Sequence, residues 1–429
     1  MIKPLRVAIA GLGTVGGGVV RLLASRRAEI AERAGRPVEC ILVSARDRSK
    51  PRAADISNIP WADDLQQLAA SEAEIVVELI GGEDGPARLL VERALASGKH
   101  VVTANKALLA YRGGQLAALA EEKGVALRFE AAAAGGIPIV KALRESLIAY
   151  DVASVKGILN GTCNFILTQM EATGRSFADV LAEAQRLGFA ESDPSLDVGG
   201  GDTAHKLTLL ASLAFGIKPD LANTWIQGIA HITPQDITFA REFGCRIKLL
   251  GIARRADGRI DQRVQPAMVR MGTPLADVDG AFNAVVANCG EAGPFFFEGR
   301  GAGEAPTASA VLADIVDIAR GNACPAFGRP AVMLKSPVPA APGALVTAFY
   351  LRFDVVDAPG VLAEIAGHLA HSGVSIESMI QRGRAPGEPV SIVMITHECA
   401  HDAVARALKV IAASDRILGP PCMIPMEAG

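Results

Sequence analysis

Leu5-Arg6-Val7-Ala8-Ile9-Ala10-Gly11-Leu12-Gly13-Thr14-Val15-Gly16 is the stretch on which the fold turns. Its first six residues, apolar apart from Arg6, read as a buried strand. Gly11, Gly13 and Gly16 form a G-x-G-x-x-G run, and helix text rich in alanine and leucine follows. Glycine permits the tight turn and the close approach of a pyrophosphate, and the helix N-terminus attracts its charge. Gly11, Gly13, Thr14, Val15 and Gly16 are therefore candidate cofactor contacts. A glycine turn without a ligand is the alternative, and the strand–turn–helix context favours the nucleotide.

Outward from this motif, residues 40–44 read as a second strand, followed by Ala45-Arg46-Asp47-Arg48. An acid at the end of this strand would accept from the ribose hydroxyls of NAD. Arg46 and Arg48 suit the 2′-phosphate of NADP, and Asp47 keeps NAD open. Strands are expected at 75–80 and 100–103, with helices between them. That alternation implies an α/β fold with a parallel, doubly wound sheet. Lys106 follows the last of these strands, at the end where ligands of open α/β sheets gather.

Composition bounds the function. The 429 residues are half apolar and 21% charged, enough for two or three domains of ordinary globular composition. A net charge of -3 argues against a nucleic-acid binder. No run has the length and apolarity of a membrane span, and the amino terminus lacks a cleavable-signal layout. The seven cysteines are scattered, with no C-x-x-C pair, as expected of reduced thiols in a cytoplasmic protein. Cys163, within Asn160-Gly161-Thr162-Cys163-Asn164, reads as a small buried residue rather than a nucleophile.

Residues 188–206, GFAESDPSLDVGGGDTAHK, carry the chemistry. Glu191, Asp193, Asp197 and Asp202 surround a glycine triplet, and helical spacing starts at Asp202. Asp202 and Lys206 are then i,i+4 neighbours on one helix face. Carboxylates can hold a substrate ammonium while a lysine gives a proton to an oxygen. A helix cap and a surface salt bridge would be the bland alternative. The EF-hand calcium pattern has a different spacing.

The pattern A-x-x-x-G-F-A-E-x-D-P-x-x-D-V-x-G-x-D-x-x-x-K, from Ala184 to Lys206, resembles the signature of homoserine dehydrogenases. Thr103-Ala104-Asn105-Lys106 and Gly301-Ala302-Gly303 resemble further motifs of that family, so the resemblance covers nearly the whole chain. It implies reversible reduction of L-aspartate 4-semialdehyde to L-homoserine with NADP or NAD. Lys206 is then the expected proton donor, and Lys106 a second catalytic cation that also lies near the cofactor. Glu191 and Asp202 would bind the substrate amino group, with Asp197 supporting the loop or the lysine. The Gly303 turn would return to the cofactor. The resemblance further implies a monovalent cation, sodium by expectation, on Glu130 and the carbonyls of Ala133, Gly135 and Ile137. With no aspartokinase-like text before the nucleotide motif, the monofunctional form is expected.

The expected organisation is a Rossmann-type domain over 1–137, completed by a helix at 304–322, and an α+β catalytic and dimerisation domain over 138–303. That second block should hold helices near 138–149, 162–172, 176–187 and 202–215, then shorter strands. Dense prolines mark a linker over 323–345. Residues 346–429 show βαββαβ order with Asp357-Ala358-Pro359-Gly360-Val361-Leu362 at the first strand–helix turn, resembling an ACT domain. Such a domain implies an amino-acid effector, threonine by expectation, with the backbone around Asp357 and Gly360, at the turn into a helix, as its site. A ligand-free interaction module is the alternative for this tail. A homodimer or homotetramer is expected, with no nucleic-acid or membrane partner. Another Rossmann oxidoreductase, or a catalytically silent amino-acid sensor, would lack a reason for the full acidic signature.

Overall fold

The computed structural model describes residues 2–52, 54–382 and 389–428. Five parallel strands form the first sheet: β1 (Leu5–Ala10), β2 (Val38–Ser44), β3 (Ile75–Glu78), β4 (His100–Thr103) and β5 (Leu127–Arg128). Their order is β2-β1-β3-β4-β5. The connecting helices are α1 (Thr14–Ser25), α2 (Arg27–Ala34), α3 (Gln66–Ala70), α4 (Pro86–Ala96) and α5 (Lys106–Glu122). The direction of winding reverses between β1 and β3, which opens a crevice beyond their carboxyl ends. The Gly11 turn and the loop after β3 both leave into that crevice. The third strand ends at Glu78, two residues short of the expected 80. Its carboxylate accepts from the N–H groups of Ile80 (2.7 Å) and Gly81 (3.0 Å), which bends the chain out of the sheet.

Past the short α6 (Ile139–Lys141), the second block sets helices against a large mixed sheet. In chain order it contains β6 (Ser154–Ile158), α7 (Gly161–Thr173), α8 (Phe177–Arg186), α9 (Ser195–Val198) and α10 (Gly201–Phe215). Then come β7 (Trp225–Ile226), α11 (Pro234–Glu242), β8 (Cys245–Ala256), β9 (Arg259–Arg270), β10 (Phe282–Asn288) and β11 (Pro294–Arg300). The strands are not short, as the sequence suggested. β8 and β9 are a hairpin of twelve residues each, joined at Asp257-Gly258, where both residues are left-handed (φ 50° and 73°). At Gly251 of β8 an added Cβ would lie 3.1 Å from Thr203 Cγ2, so α10 approaches the sheet closely there. The expected helix at 138–149 is instead the α6 turn running into a π-helical turn over 142–146.

α12 (Glu304–Ala319) packs on α1, where a Cβ on Gly18 would lie 2.8 Å from Glu304 Cγ and 3.0 Å from Ala308 Cβ. The proline-rich stretch after it is docked rather than free. Lys218 N–H donates to Lys335 O (2.9 Å), and Ile260 N–H donates to Val338 O (2.8 Å). The tail comprises β12 (Val346–Thr347), β13 (Phe349–Val356), α13 (Val361–His371), β14 (Ile376–Gln381), β15 (Pro389–Thr396), β16 (Cys399–Ala400), α14 (His401–Ile411) and β17 (Cys422–Glu427). Its sheet order is β17-β13-β15-β14. β17 also pairs in parallel with β9, with Met426 opposite Met268, so the tail sheet continues the catalytic one.

Candidate active site

The acidic turn leads into α10 through Gly200, which is left-handed (φ 89°) and has Val264 Cγ1 2.9 Å from where a Cβ would sit. Asp202 and Lys206 then stand one helical turn apart. The Lys206 ammonium donates to Asp202 Oδ2 (2.8 Å) and to the Leu159 carbonyl just past β6 (2.7 Å). One of its three N–H groups remains for a ligand oxygen. Lys106 arrives from the other half of the molecule as the first residue of α5, with Nζ 3.2 Å from Asp202 Oδ1. Asn105 caps that helix by accepting from Leu108 N–H (3.1 Å), and its amide donates to Gly82 O (2.7 Å). Asp202 therefore lies between two ammonium groups. Burial pushes its carboxyl up, but Lys206 and Lys106 outweigh burial and hold it well below the ordinary range.

Asp197, in α9, accepts from Asn160 Nδ2 (2.7 Å). Burial, and then the neighbouring Asp202, push its carboxyl up from the ordinary range. Glu191 lies outside this bonded cluster: it is exposed, its backbone carbonyl accepts from Gln185 Nε2 (3.1 Å), and its carboxylate has no bonded partner among the described residues. His205 is buried with its ring edge towards Tyr111 (centroids 5.9 Å apart). Cys163 is fully buried, and its thiol donates to the Asp197 carbonyl (3.2 Å).

On the nucleotide side, a Cβ on Gly16 would lie 1.9 Å from Gly11 O, and one on Gly11 2.4 Å from Leu79 O. Gly13, at the start of α1, faces open space, and no side chain caps that helix. Free N–H groups thus point into a gap, which suits a diphosphate. Arg46 is exposed beyond β2 and makes no hydrogen bond among the described residues. Asp47 is exposed too, and its Oδ1 accepts from Ser49 N–H (2.8 Å) and Oγ (2.7 Å). The guanidinium groups of Arg48 and Arg52 stack over Trp61, 5.6 and 5.2 Å from the ring centre. Gly303 begins α12 with φ 116°. The turn before it rests on Gly135, whose Cβ would lie 2.2 Å from Gly301 O.

Glu130 is buried beside that turn. Its carboxylate accepts from Val140 N–H (3.0 Å) and Lys141 N–H (2.8 Å), and no basic side chain bonds it among the described residues. Burial first, and Asp314 second, push its carboxyl up to about 8. Ala134 and Gly135 are consecutive left-handed residues (φ 54° and 59°). The Ile137 carbonyl accepts from Ile139 N–H (2.8 Å).

Sequence reasoning passed over Glu78 and Asn160. Glu78 also accepts from the Thr103 hydroxyl (2.6 Å) and so ties β3 to β4 under the crevice. An asparagine before the helical text at Gly161 is a capping signal that was readable.

Comparison with known proteins matches this geometry to one family. The model described as "Homoserine dehydrogenase" matches residues 138–316, and "Homoserine dehydrogenase, NAD binding domain" matches residues 11–130. The chain belongs to the homoserine dehydrogenase family. An ACT domain matches residues 349–415. The homoserine dehydrogenase of Pseudomonas aeruginosa is 43% identical over 435 residues, with 99% of each chain covered. The crystal structure of a homoserine dehydrogenase from Thiobacillus denitrificans superposes with a TM-score of 0.94 at 44% identity, covering 99% of both chains. A hyperthermophilic archaeal homoserine dehydrogenase in complex with NADPH aligns with 73% of this chain and 97% of its own, with TM-score 0.62 and 25% identity. The family's reaction is the nicotinamide-dependent interconversion of L-aspartate 4-semialdehyde and L-homoserine. Among the described residues no helix is long and apolar enough to cross a membrane.

Proposed function

We propose that the homoserine dehydrogenase reaction of this chain runs on the Lys106–Asp202–Lys206 cluster. The observation that carries this reading is the pair of ammonium groups on one buried carboxylate, 3.2 and 2.8 Å away. The nicotinamide, when bound along the glycine turn, supplies the hydride. The remaining N–H of Lys206 points its proton at the oxygen that becomes the hydroxyl, and Lys106 adds positive potential at the same oxygen or holds the substrate carboxylate. Asp202 keeps both lysines in place. Glu191 and Asp202 hold the substrate amino group in this reading, with Asp197 supporting the loop. The exposure of Glu191 puts it at the rim, where it can meet a ligand but does not build the cluster. Lys206→Ala should keep cofactor binding and lose ~10²–10⁴ in turnover of homoserine, followed by nicotinamide absorbance. Near-normal kcat would remove Lys206 from the chemistry.

NADP is the preferred cofactor in this reading, because the Arg46 guanidinium beyond β2 is exposed with no hydrogen-bond partner among the described residues, as a 2′-phosphate would require. Arg46→Ala should weaken NADP(H) more than NAD(H), and equal KM changes would reject the assignment. The buried Glu130 carboxylate, hydrogen-bonded among the described residues by two backbone N–H groups, fits a sodium ion completed by the carbonyls of Ala133, Gly135 and Ile137. The ion would brace the turn that faces Gly301. A cytoplasmic homo-oligomer completes this reading: Phe282 of β10 and Phe296 of the edge strand β11 are 40% and 38% exposed, apolar surface that a second copy would cover. The boundaries 1–137, 138–303, 323–345 and 346–429, with 304–322 returning to the nucleotide domain, complete the proposal, and the docking of α12 on α1 supports that return.

A further inference from the structure

Asn160 sits just past β6 and is 5% exposed. Its Oδ1 accepts from Cys163 N–H (2.8 Å) and caps α7. Its Nδ2 donates to Asp197 Oδ1 (2.7 Å) and to Asp202 Oδ2 (2.9 Å). A single amide nitrogen thus spends both hydrogens on two different carboxylates. The fork of an amide fixes the two accepting oxygens roughly 5 Å apart, with their charges facing one space. Like charges so close repel, and Asp202 has two lysines to compensate it whereas Asp197 has no bonded cation among the described residues. The bridge must therefore be a donor, and it must be neutral. A lysine here would add a third ammonium to the two that already face Asp202, and an aspartate would add a third repelling carboxylate. Serine could cap the helix but has one hydrogen to give.

We propose that Asn160 is a positioning residue for the reaction, clamping Asp197 and Asp202 side by side so that the acceptor sites they leave open, on Asp197 Oδ2 and Asp202 Oδ1, receive the substrate ammonium. This rests on the reading of the Lys106–Asp202–Lys206 cluster as the reaction centre. The clamp acts through the carboxylates and leaves the cofactor crevice untouched.

The full-length enzyme carries the test. Asn160→Ala loses both cap and clamp, while Asn160→Ser keeps the cap. Each is assayed for homoserine KM, cofactor KM, kcat and Tm. Losing one or two hydrogen bonds to charged groups should raise homoserine KM about ten- to a hundredfold in Asn160→Ala, with cofactor KM within about twofold. Asn160→Ser should regain the wild-type Tm while homoserine KM stays raised. If Asn160→Ser folds like wild type and has wild-type KM, the clamp is dispensable and the inference falls. If homoserine and cofactor KM rise together in both variants, Asn160 is structural and the inference also falls. Lys206→Ala measured alongside separates the two readings, because an active Lys206→Ala enzyme overturns the reaction centre itself.

Discussion

The residue that organises the site is Asp202, and its value lies in its charge. Replacing it with asparagine keeps shape and leaves Lys106 and Lys206 facing each other without compensation. Removing one partner of a buried charge group costs ~3–5 kcal/mol. Asp202→Asn should therefore lose activity and shift the denaturant midpoint downward at neutral pH. The pH dependence has a definite sign. The folded-state pKa of Asp202 lies below its unfolded value, so its contribution to stability is fully present above about 3.9. That contribution is lost as pH falls through the folded value. Wild type and Asp202→Asn should thus converge in acid, and a stability gap that persists unchanged down to pH 2 would remove the charge from the argument. Asp202 and Lys206 were legible in the sequence because i,i+4 spacing on a helix is a local rule. Lys106 was legible as a candidate from its place at the carboxyl end of a strand, but its meeting with Asp202 was not, since nothing local says that the start of α5 meets α10. Asn160 escaped because its partners are brought to it by α9 and α10, elements remote in the chain.

At the scale of elements, the acidic turn is held by a neighbour that has no side chain. Ile229 N–H donates to Val198 O (2.9 Å), and a Cβ on Gly228 would lie 2.1 Å from that same oxygen and 2.7 Å from Gly199 Cα. Gly228→Ala cannot be accommodated without moving the turn that carries Asp197. The expected result is a raised homoserine KM with an unchanged cofactor KM, since the glycine motif lies elsewhere. Gly367→Ala in α13 is the matched control, because nothing lies within 4 Å of its added Cβ. It should be neutral or stabilising by ~0.5–1 kcal/mol. A Gly228→Ala enzyme with wild-type KM would show that the turn adapts. The parallel sheet was readable from strand–helix alternation and the glycine run. The β8–β9 hairpin was not read, although Asp257-Gly258 between two apolar runs is a strong hairpin signal. The end of β3 could not be read, because it is set by the Glu78 carboxylate turning back on its own chain.

At the scale of the molecule, the tail is joined to the catalytic block twice. β17 extends the sheet at β9, with Glu427 opposite Val269, and Lys156 Nζ lies 3.2 Å from Glu427. Asp236, fully buried at the start of α11, accepts from Arg352 Nε (2.7 Å) and the Tyr350 hydroxyl (3.0 Å) of β13. The proline-rich segment suggested a separable unit, and long-range pairing of this kind leaves no local trace in a sequence. Truncation after Pro339 would bare the β9 edge and strand the Asp236 charge, so a truncated chain should be destabilised as well as unregulated. Regulation is better tested in the full chain. Threonine is the expected effector, bound at the turn into α13, and it acts only if its affinity differs between two states of the enzyme. α11 lies a few residues past Ile229, which is bonded to the acidic turn, so Asp236–Arg352 is placed to pass that difference on. Replacing the pair together, Asp236→Asn with Arg352→Met, avoids an unpaired buried charge, keeps a partner for the Tyr350 hydroxyl and the Thr233 N–H, and should leave the fold intact. Full-length enzyme should be inhibited by threonine. The double variant should bind threonine by calorimetry but be inhibited at least ~5-fold more weakly, the low end of ordinary coupling. Unchanged inhibition in the double variant would take the pair out of the coupling. If the full chain ignores threonine and the other aspartate-pathway amino acids, the tail serves assembly, through its junctions with β9 and α11.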